Sequence, residues 1–267
     1  MPMELVRKLP YNHPYRWDGS LFGQPKLWRP TEIQPALWLD AEDTSTITLN
    51  GSAVSQWADK SGNNRNFSQA ISTSQPIYNL TAFGGMPALS FDGIDDGMPS
   101  TGNWTISGMS WYIVCQRTSA TPATQTVIGA ANGVTYFPIA QQGATTNTQV
   151  FRVNSANDPA SLSAFLNGTI IKDKNATPTT TRGAIFDNLA NASILEALGG
   201  PSFAANPQIG SSGGGFIFSG LVSEVVVSVN DSSTTERQII EGYLAWKWGI
   251  EGSLPAGHPY KNLPPTV

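Results

Sequence analysis

The 267 residues carry 19 acidic and 15 basic side chains, a net charge of −4, with only 13% of positions charged. That mild acidity excludes a nucleic-acid binder, which needs a basic face to neutralise phosphates, and no run of about 18 apolar residues marks a membrane span. Cys115 is the single cysteine, which excludes an internal disulfide and a multi-cysteine zinc site.

In chain order, residues 1–35 form a segment apart. Met1-Pro2-Met3-Glu4-Leu5-Val6 lacks a basic stretch followed by an apolar one, so no secretion signal is expected. Pro2, Pro10, Pro14, Pro25 and Pro30 favour extended and turn conformations, and neither helical nor strand periodicity appears. Tyr11, Tyr15, Trp17, Phe22 and Trp28 are large apolar groups that want burial. The segment reads as an extended arm that docks on a partner through these aromatics, or as one that folds back over its own domain.

From residue 36 the pattern becomes short strands. Ala36–Asp40, Gly51–Asp59, Ala88–Asp92 and Met109–Cys115 are apolar or alternating runs bounded by turn residues. Thr126–Gly129, Val134–Ala140, Gln149–Val153 and Ser161–Leu166 are further strand candidates. Asn167-Gly168 between Ala164-Phe165-Leu166 and Thr169-Ile170-Ile171 is the strongest hairpin signal. Residues 173–181 are polar and turn-rich, and Phe216–Val229 supplies a last long strand. One helix is expected: Ser233-Thr234-Thr235-Glu236 has capping-box form, Ile239, Ile240, Tyr243, Leu244 and Lys247 follow at helical spacing, and Gly249 stops it.

Leu37-Trp38-Leu39-Asp40, Trp57-Ala58-Asp59-Lys60-Ser61-Gly62-Asn63, Leu89-Ser90-Phe91-Asp92-Gly93-Ile94-Asp95-Asp96 and Phe218–Val225, in that order, resemble the concanavalin A-like lectin/glucanase superfamily in its laminin-G-like branch. The ending from Glu241 to Tyr260, with Trp246-Lys247-Trp248, is similar to a tail attached to such domains in bacterial and bacteriophage proteins. The resemblance covers about residues 36–262; between about 117 and 210 it rests on strand pattern alone. It implies an all-β fold, a two-sheet antiparallel β-sandwich (jelly roll), with an extended N-terminal arm at 1–35 and the sandwich, C-terminal helix and tail at 36–267.

That fold hosts unrelated functions, so function is argued from sites. The closely spaced carboxylates along one strand that the resemblance implies for a glucanase are missing: Glu224 stands alone among Ser223, Val225 and Val226. His13 and His258 each precede a proline in an irregular segment, Gly213-Gly214-Gly215 leads into a strand and no helix, and Cys115 suits a core. No catalytic residue and no required cofactor is expected. Asp92, Asp95 and Asp96, with Asp59 and Asn63, offer hard oxygen ligands of the kind calcium prefers, and the resemblance implies calcium near such loops. The alternative is that these side chains cap turns. Trp104, Trp111, Tyr136 and Phe137 could stack on sugar rings if exposed, or fill the core.

These features favour a non-enzymatic bacteriophage virion protein, made in the host cytoplasm, that decorates the capsid or belongs to the tail. Its arm would dock on other virion subunits and its sandwich would face outward. A homo-oligomer, for instance a trimer, fits such a module. The alternative is a carbohydrate-binding adhesin for host surface glycan; a polysaccharide hydrolase is disfavoured by the missing carboxylates.

Overall fold

The computed structural model describes residues 26–119, 125–130, 152–153, 156–157, 160–179, 182–199, 203–212 and 215–267. Tyr11, Tyr15, Trp17, Phe22, His13, Tyr136 and Phe137, the strand expected over Val134–Ala140, and Gly213-Gly214 lie outside the described residues.

The chain runs β1 (Leu37–Asp40), β2 (Ile47–Asn50), β3 (Ala53–Trp57), β4 (Phe67–Ser68), β5 (Ile77–Phe83), β6 (Met86–Asp92), β7 (Met98–Pro99), β8 (Trp104–Ile106) and β9 (Ser110–Arg117). Then follow β10 (Ile128–Ala130), β11 (Arg152–Val153), β12 (Ala156–Asn157), β13 (Leu162–Leu166) and β14 (Thr169–Lys172). Helix α1 (Arg182–Asn188) leads to β15 (Ser193–Gly199), β16 (Phe203–Ala205), β17 (Pro207–Ile209), β18 (Ser219–Ser228) and helix α2 (Thr234–Lys247). The fold is all-β and antiparallel, with a C-terminal helix as expected; the seven-residue α1 is an addition.

The large sheet has the order β14-β13-β15-β9-β18-β6-β5-β3-β2. Strand β18 is its spine. The first part of β18 lies between β9 and β6, and the later part lies between β9 and β1, with a register shift between Val222 and Glu224 where the neighbour changes. A bulge here re-aims the strand so that one strand serves two partners. A small sheet of β10-β17-β7 and the pairs β8–β16 and β11–β12 complete the layers.

Every residue of β18 and β15 is buried, so both faces of the central sheet are covered. Register sorts them. Leu39, Val225, Ile113 and Leu195 share one face and Trp111 stands beside Val227; this side meets the opposing layer, where Trp104 stacks on Trp111 with centroids 5.9 Å apart. Asp40, Glu224 and Val114 share the other face, with Tyr112 paired to Glu196, and α2 lies against that side.

The sandwich also takes in residues from the expected arm. Leu27 bridges Thr266, Trp28 N–H donates to Pro265 O at 3.1 Å, and Val267 N–H donates to Lys26 O at 2.8 Å. Trp28 is 5% exposed and meets Tyr243 edge-on at 5.6 Å. It is a core residue of its own domain and offers no docking face, because an indole near a helix gains more by joining an existing apolar core than by facing water.

Candidate functional site

The chemistry-bearing residues gather where α2 covers the sheet. Strand pairing sets Asp40 directly opposite Glu224, two like charges on one buried face, which is unfavourable unless something neutralises them. Lys247, in the last turn of α2, does so. Its Nζ is 2.8 Å from Asp40 Oδ1 and 2.8 Å from Glu224 Oε2. Lys60 Nζ adds a second bond to Asp40 Oδ2 at 2.9 Å and reaches Asp43 Oδ2 at 2.8 Å. Glu224 also accepts from Trp38 Nε1 at 2.7 Å, Tyr243 Oη at 2.8 Å and Trp248 Nε1 at 2.6 Å.

Burial pushes Asp40 up, but Lys247 and Lys60 outweigh it and hold its carboxyl below the ordinary value. For Glu224 burial wins: its carboxyl is raised, although Lys247 pulls the other way and Asp40 adds to the rise. Burial would lower Lys247, yet the two carboxylates keep its ammonium well above its usual value. Sequence reasoning placed Glu224 alone; the fold surrounds it with partners from both ends of the chain. The Tyr243…Lys247-Trp248 pattern of the tail is thereby explained as a lock whose donors match Asp40 and Glu224.

A second buried group lies further along α2. Glu241 accepts from Arg237 Nη1 and lies 2.8 Å from His258 Nε2. Glu196, paired with Tyr112 across the strands, accepts from Gly168 N–H at 3.2 Å. Both glutamates have no exposed surface. His258, expected in an irregular segment, is a packed residue. A pair of carboxyl groups was not legible because Glu196 sits in Ser193–Gly199, a strand whose Leu and Ala content gives no β signal.

The calcium candidates separate. Asp92, Asp95 and Asp96 come together, with one carboxylate oxygen from each inside 4.8 Å of the others. Asp59 and Asn63 serve another turn. Asp59 Oδ1 accepts from the backbone of Trp38 at 3.1 Å and Ser61 at 2.8 Å, while Asn63 Nδ2 donates to Pro35 O at 3.1 Å and Ala36 O at 3.2 Å. In the acidic turn Asp92 Oδ1 accepts from Ile94 N–H at 2.8 Å and Asp96 Oδ2 from Asp92 N–H at 2.9 Å. These bonds are those of turn capping, and each aspartate keeps a second oxygen that a calcium shell could use. Burial, aided by Asp92 and Asp95, pushes Asp96 up to about 6.

Of the aromatic candidates, Trp104 and Trp111 are buried and stacked on each other, so neither presents a face to a sugar. Cys115 is fully buried and burial pushes its thiol up to about 12, which makes it an inert core group. One open groove, of about 340 Å³, lies at the corner of β13, β14 and α1. Leu166, Ile170 and Ile185 supply its apolar wall and Thr169, Asn188 and Ser253 its polar groups, and no charged side chain lines it among the described residues. Among the described residues no helix is long and apolar enough to cross a membrane.

No protein-family model matches the chain, and no curated protein matches it. Among solved structures, it is similar to domain 4 of AbnA, a GH43 extracellular arabinanase from Geobacillus stearothermophilus, in complex with arabinotriose. The TM-score is 0.42 at 15% identity, covering 76% of this chain and 95% of that one. The binding domain of Paraclostridial Mosquitocidal Protein 1 overlaps with a TM-score of 0.39 at 10% identity, covering 80% of this chain; the chain spans 53% of that domain's length.

Proposed function

We propose that the chain is a non-enzymatic binding and display module, carried on a bacteriophage particle and attached through its N-terminal residues. The observation that carries the non-enzymatic reading is the fate of the buried carboxyl groups. Glu196, Glu224 and Glu241 sit in the environments that could tune an acid or base, yet each has no exposed surface and is enclosed by α2 and its tail. A general acid or base has to reach the proton it moves, directly or through one water. These groups hold the helix instead.

The attachment reading is supported by sequence: aromatics and prolines in the first 25 residues, and sparse charge overall, which suits a surface covered by neighbours. Sedimentation of the full-length chain beside residues 26–267 tests it. Association of the full chain with a monomeric, folded 26–267 is expected; identical monomers would overturn the docking role. Turnover of any polysaccharide by the purified full-length chain would overturn the non-enzymatic role.

A second reading, recognition of a neutral glycan, is favoured by the groove beside α1. Hydroxyl and amide groups next to exposed Ile170 match a sugar's hydroxyls and its C–H face, and an uncharged lining suits a neutral ligand. Ile170→Arg would block the groove without touching the core, so glycan binding should vanish while the melting temperature stays within a few degrees.

A further inference from the structure

The groups beneath α2 and the tail form a closed charge balance. Glu196, Glu241, Arg237 and His258 are each at most 8% exposed. Arg237 brings one fixed positive charge and bonds Glu241. His258 brings none in this arrangement: its Nδ1 accepts from Tyr260 N–H at 3.2 Å, so the ring hydrogen is on Nε2 and is donated to Glu241 Oε2 at 2.8 Å. One cation therefore faces two carboxyl groups. Two carboxylates sealed from water beside a single cation cannot both ionise without a large penalty. Glu196 Oε1 accepts from Gly168 N–H, while Glu196 Oε2 is sealed from solvent and meets no donor. It becomes satisfied when it carries a proton and donates it to Glu241.

We propose that a single proton shared between Glu196 and Glu241 latches the C-terminal tail and the β13–β14 hairpin onto the sandwich, and that losing it at alkaline pH releases both. The hairpin is held because the Gly168 amide bonds Glu196, and a Cβ on Gly168 would come within 3.3 Å of Glu241 Oε2 and 3.4 Å of His258 and Pro255. The tail is held because His258 and Tyr260 close on Glu241 and on Gly242.

The groups facing the pair decide the sign. From β9 comes the Tyr112 hydroxyl, itself pushed up by burial and by Glu196, Glu241 and Glu236. From α2 come Arg237, Glu241 and, beyond Ser232, Glu236; from the hairpin comes the Gly168 amide; from the tail, His258. Among the described residues that face the pair, only Arg237 is cationic. Burial, the charge of Glu241 and the bond to it raise Glu196 well above the ordinary carboxyl range, against the pull of Arg237 and Gly168. A group raised in the folded state stabilises it below its unfolded value, and that contribution is lost as pH rises toward the folded one. The latch therefore weakens on the alkaline side.

The test is amide hydrogen exchange of the full-length chain at Gly168 and Tyr260 across pH, corrected for the intrinsic exchange rate. One proton lost per opening predicts an opening constant that rises about tenfold per pH unit until the folded value is passed. Glu196→Gln, neutral at every pH and still a donor to Glu241, should remain closed and show no slope. A flat wild-type profile, or equal slopes in both proteins, would overturn the latch. If Glu196→Gln does not fold, infrared spectroscopy of the wild type at pH 8 decides. Asp96, at about 6, is ionised there, and the same spectrum of Glu224→Gln removes the other buried glutamate whose carboxyl is raised. A neutral carboxylic-acid band is then expected from the pair, and its absence sinks the proposal. The readout needs no ligand, so the latch stands or falls apart from the glycan reading.

Discussion

Lys247 is one cation between two carboxylates that strand pairing forces face to face. Removing it leaves Glu224 buried without a cation, opposite an Asp40 that keeps only Lys60, so Lys247→Met should cost about 3–5 kcal/mol in urea denaturation, the scale of breaking a buried pair. Asp40 gives the acid side of the stability profile. Its carboxyl is held low, so its contribution is present above the unfolded value of 3.8 and is lost as pH falls through the folded one. Asp96 works in the opposite sense. Raised to about 6 from 3.8, it favours the folded state most at low pH, and that advantage drains away as pH climbs between those values. Asp96→Asn keeps an oxygen for the Asp92 amide and removes the titration. It should match the wild type at pH 4 and exceed it at pH 8 by roughly 1 kcal/mol, less than the shift alone implies because Asp92 and Asp95 are open to solvent. Thermal melts at the two pH values check this, and calcium added to the same samples separates ion binding from turn capping.

Among the elements, helix α2 was legible and strand β15 was not, for opposite reasons. The helix advertises itself locally: Ser233 Oγ accepts from Glu236 N–H at 3.2 Å as the capping box implies, and Ile240, Tyr243, Leu244 and Lys247 of the expected helical spacing are buried. Asn167-Gly168 was equally plain, since both residues adopt the positive φ, 52° and 75°, that the tight hairpin requires. Strand β15 is made of Ser, Ile, Leu, Glu, Ala and Gly, and only the neighbours on both its edges make it a strand. The same tertiary dependence governs Gly242 in α2. Glycine inside a helix costs about 1 kcal/mol relative to alanine, so Gly242→Ala would stabilise an isolated helix. Here an added Cβ would lie 2.6 Å from Tyr260 Cβ and 2.8 Å from its ring. Gly242→Ala should therefore lower the melting temperature and speed proteolysis between residues 250 and 262. A rise in melting temperature would mean that the tail does not pack on α2.

At the scale of the whole molecule, the sequence divides where its texture changes, near residue 35, but the fold closes earlier. Texture reports the local chain, whereas closure is decided by contacts between segments far apart in sequence. Lys26 and Trp28 pair with Val267 and Pro265, so the described chain enters and leaves the sandwich side by side, and Trp28 fills a place against Tyr243 beside the Lys247 lock. The two cuts that look alike in the sequence should then behave differently. Residues 26–267 retain this pairing and the indole, and should unfold cooperatively at nearly the full-length urea midpoint. Residues 36–267 lose Leu27 and Trp28, both nearly fully buried, and leave a cavity over α2. Loss of one such buried tryptophan costs about 3–5 kcal/mol, a large part of a domain's stability. The shorter piece should show a much lower urea midpoint, with Trp28→Ala in the full chain reproducing most of the loss. Equal midpoints for the two cuts would mean that the N-terminal residues rest on the sandwich without stabilising it, and the boundary would move back to 35.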